Sequence, residues 1–429
     1  MNKFLKISVL IAQILLGVTF LFSGFVKAID PVGSTIKVGD YLLAFGLTIP
    51  HFLIGLLAMS QAMAEFLLGA WALLGIWKKT TGWLIFLFML VMTPFTLYLA
   101  IYHPVSDCGC FGEAIKLTNW QTFSKNVVLL VLAFLYLRYS SYVTIFYGRH
   151  TSRWATCWCL LFLAMLMYHC ERHLPLIDFM PFKTGNDIYA LTHVPPAAAR
   201  DSFTYQFVYE KDGKQAVFTE DSLPVSGSGW NYVDRRQRLV REGVKPVIQP
   251  FSIQHPMLGD ITERVLKDTS YVFLFVSQDL ETSDSEHTDR TVNAYTYARS
   301  HHYGFYGLTS SDTTAIEEWL YENDTDIGFC SADDKLLTTM IRSNPGLVLL
   351  KHGVVYRKWA QKDIPDFTVV KKPLNELNIG RKRNVSPFRI AGLTILCFAL
   401  PLLLLYQLRT SRLARKRQSL LKKSDTKQV

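Results

Sequence analysis

The residues best suited to chemistry are two cysteines separated by one glycine, in the run DCGCFG at 107–112. Thiols this close in the chain join only through a small, strained ring, and strained or exposed disulfides are more oxidising and more labile than structural ones. Gly109, between Cys108 and Cys110, lets the backbone turn sharply. Three chemistries fit the spacing. One is thiol–disulfide exchange at a membrane surface, favoured where the compartment is oxidising, as in a bacterial envelope. The second is a passive bridge that pins a loop. The third is half a metal site, with His103 and Asp107 as further ligands.

Other candidates surround this pair. Cys170 is placed to meet it at the same membrane level as a resolving thiol. Cys157, Cys159 and Cys397 read as small buried hydrophobes, and Cys330 as a buried residue ending a core strand. Glu65 stands in the middle of an otherwise apolar run. An ionisable group there is costly and serves as a proton relay, as the partner of a polar group, or as a protonated packing residue. Gln61, one turn earlier on the same face, supplies a hydrogen bond.

The elements that position these residues are membrane helices. The chain has 429 residues, 50% hydrophobic and only 19% charged, well below the quarter typical of soluble domains. A spanning helix needs about 20 mostly apolar residues. Runs at 7–26, 52–77, 80–102, 117–137, 154–170 and 390–408 meet that need, with Glu65 and Lys125 as the charges inside them. Lys125 sits near one end, where a lysine snorkels. The first run resembles a signal peptide but has no A-x-A site, so it reads as retained.

Basic residues set the orientation. Lys3, Lys6, Lys78, Lys79, Arg138, Arg149, Arg153 and the basic tail fall on one side, read as cytoplasmic. The loops at 27–50 and 102–118 and the stretch 171–388 fall on the other, read as periplasmic, in a bacterial inner membrane. The net charge of +10 comes mostly from a tail holding eight Lys or Arg in 22 residues, which argues against a nucleic-acid-binding face. Loop 27–50 reads as an interfacial segment, which is either a structural lid, the favoured reading, or a cover for a small lipid-soluble ligand such as a quinone.

The large insert reads as a folded α/β unit. Residues 203–209 and 215–219 flank a Lys211-Asp212-Gly213 turn, a hairpin signal. The run YVFLFVS at 271–277 predicts a strand buried on both faces. Helices follow at 287–302, 312–323 and 332–342, with strands near 303–308 and 326–330 and a hairpin pair at 346–351 and 353–359.

Residues 1–145 resemble the DoxX-like and MauE-type redox-associated membrane proteins, through FSGFVKAIDP at 22–31, GDYLLAFGL at 39–47, the Glu65 span and DCGCFG. The resemblance implies a four-helix membrane bundle linked to thiol redox chemistry, with Cys108 and Cys110 as the redox pair. That bundle has a general likeness to vitamin K epoxide reductases, but their quinone-binding C-x-x-C is absent here. Residues 250–370 resemble a thioredoxin-like domain of the TlpA or peroxiredoxin sort, through SNPGLVLLKHGVVYRKW at 343–359. By that resemblance Pro345 is the cis-proline. The chain departs from the pattern after strand 271–277, where SQDLETSDSEHTD carries no cysteine.

The expected organisation is a bundle over 1–145, a fifth span over 146–172, a linker and β-hairpin region over 173–250, a thioredoxin-like domain over 251–380, a sixth span over 388–408 and a basic tail over 409–429. The expected function is thiol–disulfide exchange with a periplasmic thiol protein or a quinone, with the degenerate domain binding the partner. The alternative is a non-enzymatic membrane scaffold. No metal is assigned, and HLPLIDFMPFKTG at 173–185 has no derivable role.

Overall fold

The computed structural model describes residues 2–105, 108–194, 202–219, 222–224, 227–241, 246–248, 251–382 and 386–425. The first helix, α1 (Asn2–Ile29), ends where Asp30 caps the short α2 (Pro31–Ala44): the Asp30 side chain accepts from Gly33 N at 2.9 Å, with Pro31 at the first helical position. Loop 27–50 is therefore largely helical, and Lys27 belongs to the last turn of α1 rather than to the loop. Then come α3 (His51–Leu74), α4 (Lys78–Tyr102), α5 (Asn119–Arg138) and α6 (Arg149–Arg172).

Helices α1 and α3 pack backbone to backbone. A Cβ on Gly69 would lie 2.2 Å from Leu21 N, and one on Gly24 would lie 2.4 Å from Phe66 N, so only glycine permits this approach. The α4–α5 pair is fastened by a buried hydrogen bond from Asn126 Nδ2 to Thr96 Oγ1 at 3.1 Å.

Beyond the short α7 (Ile188–Thr192), β1 (Ser202–Lys211) and β2 (Lys214–Thr219) form the expected hairpin around Asp212 and Gly213, both at positive φ. A third strand, β3 (Asn231–Arg241), pairs antiparallel with β1. Its sequence, NYVDRRQRLVR, lacks apolar alternation because it is an edge strand whose described side chains are exposed, and pattern reading misses it.

The second sheet is built from β4 (Gln254–His255), β5 (Gly259–Asp260), then α8 (Thr262–Lys267), β6 (Tyr271–Val276), α9 (Thr288–Ser300), β7 (Gly304–Thr309), α10 (Thr313–Glu322), β8 (Phe329–Ser331), α11 (Asp334–Met340), β9 (Gly346–Lys351) and β10 (Val354–Ala360). Its order is β10-β9-β6-β7-β8-β4-β5. Strands β6, β7 and β8 run parallel, whereas β9 is antiparallel to β6 and β10 to β9. The continuous apolar run of β6 has the predicted cause. Val272, Leu274 and Val276 face one core, and Tyr271, Phe273 and Phe275 face the other. The Asn344–Pro345 bond before β9 is cis.

The last helix, α12 (Pro387–Asp425), packs on α6. Trp158 Nε1 donates to the Phe398 carbonyl at 2.9 Å, and the Tyr147 hydroxyl to the Leu402 carbonyl at 2.7 Å. Among the described residues six helices (α1, α3, α4, α5, α6 and α12) are long and apolar enough to cross a membrane. The protein is a multi-pass α-helical membrane protein that carries an α/β sheet region and contacts lipid.

Two cysteine readings need correction. Cys157 and Cys397 are exposed on the helix surface, whereas Cys159 is buried. Residues two apart on a helix do not share a face, so Cys157 and Cys159 cannot both be covered, and α12 buries little beyond its contact with α6.

Candidate functional site

The segment 108–112 is folded back among three helices rather than standing clear of the bundle. The Phe111 ring packs on Phe22 of α1, with centroids 5.5 Å apart, and Lys125 Nζ of α5 lies 4.3 Å from its centroid. The Tyr41 hydroxyl of α2 donates to the Cys108 carbonyl. Gly109 and Gly112 both take positive φ, 58° and 51°, which lets so short a segment turn inward twice.

The two sulfurs lie 2.9 Å apart. Cys108 is buried and Cys110 is partly open. The hydrogen bond from Cys108 holds the Cys110 thiol well below the ordinary range, near 6. The charges of Lys125 and Lys27 add to this, against burial and the charge of Glu65. The same bond and burial push Cys108 the other way. The pair is thus unequal: one sulfur acts as acceptor and the other as donor.

Beneath the pair lies a buried polar cluster. Lys27 Nζ donates to Glu65 Oε2 at 2.6 Å, to Ser23 Oγ at 3.1 Å and to the Cys110 carbonyl at 3.2 Å. Three acceptors match the three protons of an ammonium. Glu65 Oε1 accepts from Gln61 Nε2 at 3.0 Å, as the spacing predicts. The Ser23 hydroxyl lies 2.6 Å from both Glu65 Oε2 and the Cys110 carbonyl, and its one proton serves one of them at a time. The side chains of Lys27 and Glu65 are only 11% and 4% exposed. Glu65 is therefore an ion-pair partner, and the pair grips the backbone of the cysteine segment.

Both cysteines line a cavity of about 1160 Å³ between the bundle and the α/β region. Its walls include Phe88 and Phe95 of α4 and, from the α/β side, Lys335 and Arg342. The two bodies are joined beside it. Arg342 Nε lies 3.1 Å from Asp30 Oδ1, and Arg342 also donates to the Thr338 carbonyl at 2.7 Å. Lys358 Nζ lies 2.7 Å from Asp178 Oδ2, so the 173–185 junction is a docking strip. His173, in the same strip, pairs with Asp363 at 2.8 Å.

The structure brings Glu65 together with Cys108 and Cys110 but leaves two candidates elsewhere. Cys170 is buried in an apolar cluster with Ala28, Ile29 and Leu166 and does not line the cavity. Pro345 lies at the start of β9, away from the cavity walls. His103 Nδ1 sits 3.5 Å from Asn119 Nδ2, and Asp107 lies outside the described residues. Among the described residues no group of three His, Cys, Asp or Glu side chains is placed to hold a metal ion.

The family model of methylamine utilisation protein MauE matches residues 5–139, which run from α1 through α5 and contain the whole cysteine cluster. The membrane bundle is MauE-type. A second model, Domain of unknown function (DUF8463), matches residues 203–242, which hold β1, β2 and β3. No curated protein and no solved structure matches the chain.

Sequence reasoning missed Lys27, Ser23, Asp30, Arg342 and Tyr41. One signal was available: an intramembrane carboxylate calls for a partner, and Ser23 and Lys27, four apart on one face of α1, were within reach of the α3 face that carries Glu65.

Proposed function

We propose that the MauE-type bundle serves a membrane-associated accessory role in thiol–disulfide exchange, carried by Cys108 and Cys110. The observation that carries this reading is the placement of an unequal cysteine pair on the wall of a cavity open to a partner. The site has what an exchange centre requires: a sulfur held below the ordinary thiol range, a second sulfur within reach, and a cation beside them.

The α/β region is read as a thioredoxin-like unit that has lost its dithiol. The β6–β7 parallel pair, the antiparallel β9–β10 hairpin and the cis Pro345 support that reading. The segment between β6 and α9 contains no cysteine. Its role is then to hold the partner over the cavity, where tethering raises effective concentration without new contacts to the sulfurs.

The cysteines are assigned to the periplasmic side of an inner membrane. The basic ends of the helices gather at the other end: Lys78 Nζ donates to the Ser141 carbonyl at 3.1 Å, and Arg409 donates to the Phe146 carbonyl.

Trapping tests the proposal. Cys108→Ser and Cys110→Ser are each expressed in intact cells, and one of them is expected to give a heavier, reductant-sensitive band. Differential alkylation should show wild-type Cys108 and Cys110 in both redox states. If neither variant traps a partner and the pair stays oxidised throughout, the protein is a membrane-anchored scaffold.

A further inference from the structure

We propose that Lys125 positions positive charge for the Cys110 sulfur, which makes Cys110 the attacking residue and Cys108 the resolving one. This rests on the exchange reading above and assigns roles within it.

Three observations carry the assignment. First, Lys125 reaches back to the cysteine segment. It is half-buried, lies over the ring of Phe111, the residue next to Cys110, and lines the same cavity as both sulfurs. A half-buried ammonium is costly unless it has a task. Second, Lys125 makes no ion pair among the described residues, whereas three other cations on the same cavity wall are paired. Lys27 of α1 is neutralised by Glu65 of α3, Lys116 is paired with Glu113 at 2.8 Å, and Arg342 with Asp30. From α2, Lys37 and Asp40 bring one charge of each sign to the cavity wall, with Tyr41 on the Cys108 carbonyl. On the α/β side Asp178 is paired with Lys358, while Asp333, Asp334 and Lys335 also line the wall. Third, the two residues differ in exposure, since Cys108 is 5% exposed and Cys110 is half-buried. Lys125 stands over the residue next to Cys110, whereas Cys108 lies three positions away from that residue.

The exchange then runs in two balanced steps. The Cys110 thiolate attacks one sulfur of a partner disulfide; an S–S bond forms, the partner's S–S bond breaks, and one partner thiolate leaves. Cys108 gives its proton to that leaving thiolate and attacks Cys110 Sγ, closing the Cys108–Cys110 bond and releasing the second partner sulfur, which takes a proton from water. The partner gains two electrons and the pair loses two. A partner dithiol meeting the oxidised pair reverses the sequence.

The experiment uses the full-length, reduced protein in lipid nanodiscs. Alkylation of Cys108 and Cys110 by iodoacetamide is followed by mass spectrometry from pH 4.5 to 9.5. The midpoint is the readout, because a lower thiol pKa also lowers intrinsic nucleophilicity and blunts the rate difference at neutral pH. Cys110 should label first at pH 7. Lys125→Met and Lys125→Gln should each move its midpoint upward by about one pH unit, the shift expected from losing a nearby opposite charge, and Lys125→Arg should restore it. Melting temperatures are measured beside them, and the glutamine variant, which keeps a polar chain, is decisive should the methionine variant fold poorly. Labelling of Cys108 first, or an unmoved midpoint in Lys125→Gln, overturns the assignment. The two proposals fail separately. If exchange is wrong, the midpoint shifts but Cys108→Ser traps no partner; if the role of Lys125 is wrong, partners are trapped but the midpoint stays.

Discussion

Replacing Glu65 by leucine tests the cluster beneath the cysteines most directly. The substitution conserves volume roughly and removes the carboxylate that takes the shortest of the three Lys27 bonds, 2.6 Å. Lys27 would keep Ser23 and the Cys110 carbonyl but lose its counter-charge, with a side chain only 11% exposed. Breaking a buried pair from one side costs about 3–5 kcal/mol. The residual exposure of Lys27 sets the expectation at the lower end, ~3 kcal/mol. Glu65→Gln keeps an oxygen that accepts from Lys27 and should cost about 1–2 kcal/mol. Removing both charges, Lys27→Met with Glu65→Leu, should recover much of the loss, since no unpaired charge remains. The assay is equilibrium unfolding of the purified full-length protein in mixed micelles, read by circular dichroism. Because the charge of Glu65 pushes the Cys110 thiol upward, the alkylation midpoint of Cys110 should fall in Glu65→Leu. Equal losses in Glu65→Leu and Glu65→Gln, or a double variant no better than Glu65→Leu, would refute the reasoning.

Three further outcomes are expected. In an Asp30→Asn, Arg342→Met cycle the single changes should couple by about 1–2 kcal/mol in unfolding, since Arg342 is buried at the joint; losses that add within about 0.5 kcal/mol would show the two bodies to be independent there. Gly69→Ala should destabilise by about 1–3 kcal/mol, because its Cβ would fall 2.2 Å from Leu21 N and force α1 from α3; a melting temperature equal to wild type would contradict that packing. The wild-type Cys110 value near 6 is depressed, so its thiolate is present above that pH and lost as pH falls through it. Cys108→Ala, which removes the largest cause, should raise the alkylation midpoint toward the ordinary thiol value of about 8.5, further than Lys125→Met does, and a smaller shift would reverse that ranking.

What the sequence made legible follows the physics of each element. The six spans were visible because hydrocarbon tolerates so few charges, and β6 because a strand covered on both faces has no polar side. Span ends were not, since helices continue past the apolar run: α1 carries Lys27 inside its last turn and α12 continues through basic residues. Strand β3 has no apolar rhythm because its described side chains are all exposed. At the site, the cysteines and Glu65 announced themselves by residue type, as did Gln61 by spacing. Arg342 did not, because it meets Asp30 across more than three hundred residues of chain, a contact no local pattern encodes.

The last helix has a length that the membrane must answer to. Its 39 residues, at a rise of about 1.5 Å each, make a rod of roughly 58 Å, nearly twice the ~30 Å of a hydrocarbon core. The surplus stands beyond the bilayer, and Arg409, Arg412 and Arg415 fall where the apolar stretch gives way, at the level of the lipid headgroups. Arg409 is also tied to the Phe146 carbonyl, which fixes the vertical register of the rod at that end. The upper end of the rod continues from the chain that closes the α/β region. A bilayer thicker or thinner than the apolar stretch, with a mismatch cost of a fraction of a kcal/mol per Å, therefore tilts or strains a strut anchored below and attached above to the body that covers the cysteines.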